Sequence, residues 1–120
     1  MRSFDKYLNE VQESAEVKQG AVDYVRLANA KLDSDKESKF FKERDRSFAM
    51  KKANKYYKIW VMEWGRPSSI HAFIDIATGD LYKPAGINKP AKGSRGNVTD
   101  PEFMKQLQNT FSIGGGHLYR

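Results

Sequence analysis

Residues 56–64, YYKIWVMEW, decide how the chain is read. The run is dense in aromatic and β-branched residues and carries no Gly or Pro, the composition of a strand. Side chains on a strand alternate, so Tyr57, Ile59 and Val61 share one side, and Trp60, Met62 and Trp64 the other. Both sides are apolar, and both therefore need cover. Helices can cover one. The Trp60/Met62/Trp64 side calls for another helix, the chain's own tail, a second subunit or a ligand.

Working outward, Gly65-Arg66-Pro67-Ser68-Ser69 reads as a turn. Ile70–Ile76 is a second strand, with Ile70, Ala72, Ile74 and Ile76 alternating against His71, Phe73 and Asp75. Ala77-Thr78-Gly79-Asp80 is a tight hairpin turn in which Gly79 supplies a positive φ. Leu81-Tyr82-Lys83 opens a third strand, and Pro84 stops it because proline cannot donate to the ladder. Residues 84–97 then form a Gly/Pro loop, and from Lys83 onward Lys-Pro-Ala occurs twice. Thr99 or Asp100 caps a last helix that has Pro101 in its first turn and an apolar face of Phe103, Met104, Leu107 and Phe111. Ser112–Gly116 is flexible in composition, and the His117–Arg120 end is either loose or tucked onto the core.

Upstream, Phe4, Leu8, Val11, Ala15, Val22, Val25 and Leu32 follow steps of a helix stripe over residues 4–32, interrupted by Lys18 and Asn29. Gly20 either kinks this helix or caps a first one before a second begins near Ala21. Ser34-Asp35-Lys36-Glu37 has the spacing of a capping box, which predicts a further helix over about 35–54 with a narrow apolar side of Phe41, Phe48 and Ala49. The expectation is a single α+β domain spanning 1–120: N-terminal helices, a three-stranded antiparallel meander, a basic Gly/Pro loop and a C-terminal helix.

Composition narrows the chemistry. The chain has no cysteine, which removes disulfides, thiol nucleophiles and cysteine-based metal sites. No apolar run is long enough to span a membrane, and the acidic residues near the N-terminus do not suit a signal peptide, so a cytoplasmic setting is expected. The net charge of +6 is segregated. Residues 36–58 carry 9 basic against 3 acidic side chains, residues 59–82 carry 1 against 3, and residues 83–97 carry 4 against none. Two basic blocks thus bracket the apolar strands, a distribution that attracts polyanions or simply keeps two faces wet.

The runs His71-Ala72-Phe73-Ile74-Asp75, Thr78-Gly79-Asp80-Leu81-Tyr82-Lys83-Pro84-Ala85 and Pro90-Ala91-Lys92-Gly93, continuing to Arg95-Gly96-Asn97, resemble small uncharacterised proteins of bacteriophages, particularly marine and cyanobacterial phages. The resemblance implies a phage origin and expression in the cytoplasm of a bacterial host, or packaging in the virion. It implies no activity and no site residues.

Catalytic constellations are thin. His71 and His117 are far apart in sequence, and neither has a metal-ligand spacing. Asp75 and Asp80 flank a turn and are best used on its amides. His71 and Asp75 share a strand side but stand about 13 Å apart. Lys92-Gly93-Ser94 lacks the order of a phosphate-binding loop. The expectation is a non-enzymatic binding protein with no cofactor and no metal. Its expected partner is DNA or RNA, with lysines meeting phosphates and aromatic rings stacking on bases, through Lys51, Lys52, Lys55, Phe73, Tyr82, Lys83, Lys89, Lys92 and Arg95. The alternative is an accessory protein that binds a host or virion protein, or itself, through an apolar sheet or helix face.

Overall fold

In a computed structural model, residues 14–34, 46–112 and 115–119 are described. The architecture is α+β, as the sequence predicts. It comprises helix α1 (Ala15–Ser34), strands β1 (Arg46–Lys52), β2 (Tyr56–Glu63), β3 (Arg66–Asp75) and β4 (Leu81–Tyr82), a short ribbon of β5 (Pro84–Gly86) and β6 (Lys89–Pro90), helix α2 (Pro101–Thr110), and a 3₁₀ turn (Gly116–Tyr119). The main sheet is antiparallel in the order β1-β2-β3-β4.

Helix α1 starts at Ser14, whose Oγ accepts from the Val17 amide at 3.4 Å. Its buried stripe is Val17, Ala21, Tyr24, Ala28 and Leu32, all under 5 % exposed. This differs from the predicted stripe. Ala15 is exposed, and Val22 and Val25 are only half-buried, because the packed face is built from small residues and a tyrosine, which hydrophobicity alone undervalues. The predicted stripe members Phe4, Leu8 and Val11 lie outside the described residues. The helix runs unbroken through Gly20. Gly20 is there for contact: a Cβ on it would stand 2.5 Å from the Val98 carbonyl oxygen. The bare backbone lets the loop before α2 lie directly against α1.

The expected helix over 35–54 is corrected in its second half, where residues 46–52 form β1; residues 35–45 lie outside the described region. Strand β1 pairs with β2 along its whole length, from Arg46 opposite Glu63 to Lys52 opposite Tyr57. The meander therefore has four strands. Phe48 and Met50 face α1 with Tyr57, Ile59 and Val61 of β2, while Ser47, Ala49 and Lys51 share the far side with Lys58, Trp60 and Met62. Asn29, which breaks the predicted stripe, holds the free edge of β1: its Nδ2 donates to the Phe48 carbonyl at 3.0 Å, and the Phe48 amide donates to its Oδ1 at 2.8 Å.

The β2–β3 connection is a two-residue turn, Trp64-Gly65, with φ of 55° and 75°. The predicted turn at 65–69 is thus mostly strand. Two one-residue bulges follow. Trp60 pairs with Ile70 and Ile59 with Ala72, leaving His71 unpaired, and Val61 pairs with Ser69 and Met62 with Pro67, leaving Ser68 unpaired. The first bulge exchanges faces relative to simple alternation. Ile70 stands with Trp60 on the outer side, and His71 turns inward to Tyr24 and Phe48.

The turn after β3 is as predicted. Asp75 Oδ1 accepts from the Ala77 and Thr78 amides, and Gly79 has a φ of 85°. Pro84 does not leave a featureless loop behind it. Strands β5 and β6 pair, and the returning chain is stitched to the turn by Arg95 N–H to the Leu81 carbonyl, Leu81 N–H to Gly96, and Val98 N–H to Gly79. Asp100 caps α2 through the Glu102 amide at 3.0 Å. The tail is tucked: His117 and Leu118 are both buried.

Candidate functional site

The outer side of the sheet gathers part of the predicted set. Along β2, Tyr56, Lys58, Trp60 and Met62 alternate outward, each partly exposed. Lys51 on β1 stands opposite Lys58. Lys55 in the β1–β2 turn places its Nζ 5.7 Å from the Tyr56 ring centroid. Tyr82 on β4 stands opposite Phe73 and meets Tyr56 edge-on at 6.3 Å. Burial raises the Tyr82 hydroxyl pKa, with the charges of Asp80 and Asp75 adding to it, so this phenol stays protonated and able to donate.

Phe73 is a correction. It lies on the outer side but is wholly buried, packed edge-on against Tyr56 at 5.6 Å, so it supports the surface and cannot stack on a ligand. Lys52 shares the inner register with Tyr57 and is exposed at the sheet's end, away from the aromatic row. Lys83 and Arg95 are half-buried beside the β4 edge, Arg95 through its backbone bond to Leu81. Lys89 and Lys92 are exposed on and after the small ribbon. The ribbon's tip reaches the sheet, where Lys58 Nζ donates to Asn88 Oδ1 at 2.7 Å, and so Lys89 neighbours the same patch. Lys58 and Trp60 stand outside the predicted set. Both lie in the decisive strand, and their period-two spacing with Tyr56 is the signal that could have found them.

A second constellation lies in the core. The Tyr24 hydroxyl is 2.9 Å from His71 Nε2 and 2.8 Å from His117 Nε2. His117 Nδ1 accepts from the Ser112 amide at 3.0 Å. That acceptance leaves the His117 proton on Nε2, where it donates to the Tyr24 oxygen. Tyr24 in turn donates to His71 Nε2, and the His71 proton then resides on Nδ1. The hydrogen bonds thus run in one direction, Ser112 to His117 to Tyr24 to His71. Phe111 stacks near His117 at 4.5 Å, and Phe48 meets His71 edge-on at 4.9 Å, so aromatic rings flank the chain of bonds. Burial, aided by the neighbouring His117, lowers the His71 pKa to about 3, and burial raises that of Tyr24. Both are neutral near pH 7. Sequence spacing gives no sign of this pair of histidines, since one depends on a bulge and the other on a tucked tail.

The polarity of the network bears on metals as well. With its proton on Nε2, His117 offers no lone pair toward His71. Among the described residues no three His, Cys, Asp or Glu side chains are grouped to hold an ion.

The profile of a family described as "Family of unknown function (DUF7717)" matches residues 4–120. No curated protein matches the chain, and no solved structure does.

Proposed function

The chain belongs to this family of unknown function, and we propose that it is a small basic, non-enzymatic protein that binds single-stranded nucleic acid on the outer side of its sheet. The observation that carries the reading is the alternation Tyr56–Lys58–Trp60 along β2, flanked by Lys51, Lys55 and Tyr82. Alternate residues on a strand stand about 7 Å apart, so rings and ammonium groups take turns along one line. A single strand can lay unpaired bases on such rings while its phosphates meet the lysines. A duplex keeps its bases stacked inward and gains only the charge contacts.

Fluorescence anisotropy with labelled single-stranded and duplex oligonucleotides tests it. The single strand is expected to bind more tightly, with affinity falling as salt rises. No binding at low salt, or binding indifferent to salt, overturns it.

A second reading rests on a different observation. Trp64 at the β2–β3 turn is 66 % exposed and Ile87 at the ribbon tip is 60 % exposed. Large apolar side chains left in water suit a protein partner from the host or virion. In a pull-down from nuclease-treated host lysate, partners that depend on Trp64 favour this reading, and partners that disappear with the nucleic acid favour the first. Among the described residues no helix is long and apolar enough to cross a membrane. The cytoplasm of a phage-infected bacterium is the setting we propose, on the strength of the phage resemblance carried by residues 71–97.

A further inference from the structure

The directed hydrogen-bond chain in the core ends at an opening. A cavity of about 190 Å³ lies between β1, β3 and the tail, on the helix side of the sheet, and the His71 ring forms part of its wall. Its other walls include apolar Leu32, Phe48 and Val61, the hydroxyl-bearing Ser68 and Ser69, and Gly115. The Nδ1 edge of His71 faces Gly115: a Cβ added there would be 4.0 Å from Nδ1 and from Cε1. No described residue accepts a hydrogen bond from Nδ1. His71 is 5 % exposed, so its Nδ1–H is a nearly buried donor turned toward this space.

We propose that this cavity is a binding site for a compact neutral molecule bearing a carbonyl oxygen, which accepts the His71 Nδ1–H while its apolar part lies against Leu32, Phe48 and Val61. The site is separate from the outer side of the sheet and does not depend on nucleic-acid binding. Three features select the ligand class. The donor is presented with a fixed proton, because Tyr24 occupies Nε2 and His117 in turn fixes the direction of the Tyr24 hydroxyl. Around it the wall is mixed: Leu32, Phe48 and Val61 are apolar, the Ser69 hydroxyl can donate or accept, and the Ser68 hydroxyl is taken up by Glu63 at 3.0 Å, which suits a small ligand with one strong acceptor and a compact apolar part. The cation at the cavity's margin, Arg46, is paired with Glu63 at 2.8 Å. A carboxylate would therefore enter without an uncommitted countercharge and would shed its hydration for little return.

Tyr24 and His117 act here as positioning residues. Removing the Tyr24 hydroxyl frees His71 to place its proton on Nε2, which would present a bare acceptor to the same carbonyl.

The test is NMR of ¹⁵N-histidine-labelled protein near pH 7, with acetamide as the probe and acetate beside it. Long-range ¹H–¹⁵N spectra are expected to show His71 protonated at Nδ1 and His117 at Nε2. Acetamide is expected to shift the His71 Nδ1 resonance saturably, and acetate much less. Tyr24→Phe, which keeps the ring in place, is expected to weaken the acetamide response at least several-fold. His71 found protonated at Nε2 overturns the proposal without any variant being needed. So does the absence of a saturable shift at His71, an equal or larger response to acetate, or an unchanged response in Tyr24→Phe.

Discussion

Asn29 on α1 takes both backbone groups of Phe48 on edge strand β1. An amide side chain carries a donor and an acceptor side by side, so it can donate to the carbonyl and accept from the amide of the same residue. It therefore extends the sheet's hydrogen bonding by one unit and closes an edge that would otherwise invite pairing with another chain. Asn29→Ala leaves a partly buried donor and acceptor without partners and is expected to cost about 1–3 kcal/mol. Chemical denaturation measures it. Asn29→Leu should be no better than Ala, since the loss is of hydrogen bonds and not of apolar packing. A variant as stable as the parent would show that water replaces Asn29 at no cost.

How far each element is legible in the sequence follows from how local its cause is. The β2 and β3 strands, the Asp75–Asp80 turn and the Asp100-capped helix are legible because each depends on neighbours within a few residues. Strand β1 is not. Its Lys, Arg, Ala and Met content suits a helix, and it becomes a strand through pairing with β2 and the Asn29 clamp, both distant in sequence. The inward turn of His71 needs a bulge that simple alternation cannot show. The outer binding face is half legible for the same reason: a strand pattern says that Phe73 points outward, but not that the neighbouring rings and the ribbon bury it.

Gly20→Ala offers a change whose sign opposes intuition. In an exposed helix interior, alanine is about 1 kcal/mol better than glycine. Here the new methyl would sit 2.5 Å from the Val98 carbonyl oxygen and 2.9 Å from its Cγ2, so either the loop before α2 or α1 must move. The expected result is a net loss of about 1–3 kcal/mol, read as a lower Tm. A gain would mean that the loop separates from the helix without penalty.

His71 links stability to acid. Its pKa falls from 6.5 to about 3 on folding. Between those values the unfolded chain holds a proton on this ring and the folded chain does not. Stability is therefore complete above about pH 6.5 and declines as the pH drops toward 3, by at most about 1.4 kcal/mol per pH unit from this group. The groups facing the ring are Tyr24 and His117, with Arg46 at the cavity margin, and none is an acid that would stabilise a cationic His71. Urea denaturation at pH 7, 6, 5 and 4 is expected to trace the slope, and His71→Gln to flatten it. An equal slope in the variant would assign the acid sensitivity elsewhere.

The proposed nucleic-acid surface separates charge from stacking. Lys51 and Lys58 are opposite one another on the outer side. Removing one phosphate-binding cation lowers the slope of log affinity against log salt by about 0.7 for a single strand. Lys51→Ala with Lys58→Ala should thus reduce that slope by about 1.4 while weakening single strand and duplex alike. Trp60→Ala should instead weaken the single strand by about 1–3 kcal/mol and leave the salt slope unchanged, because it removes a stacking platform and no charge. Phe73→Leu is the control: it lies on the same side but is buried, so it should lower thermal stability and change the number of stacked bases not at all. Anisotropy titrations across a salt series distinguish the three. If Trp60→Ala binds like the parent, the aromatic row is scaffold for the sheet and the lysines alone account for any binding.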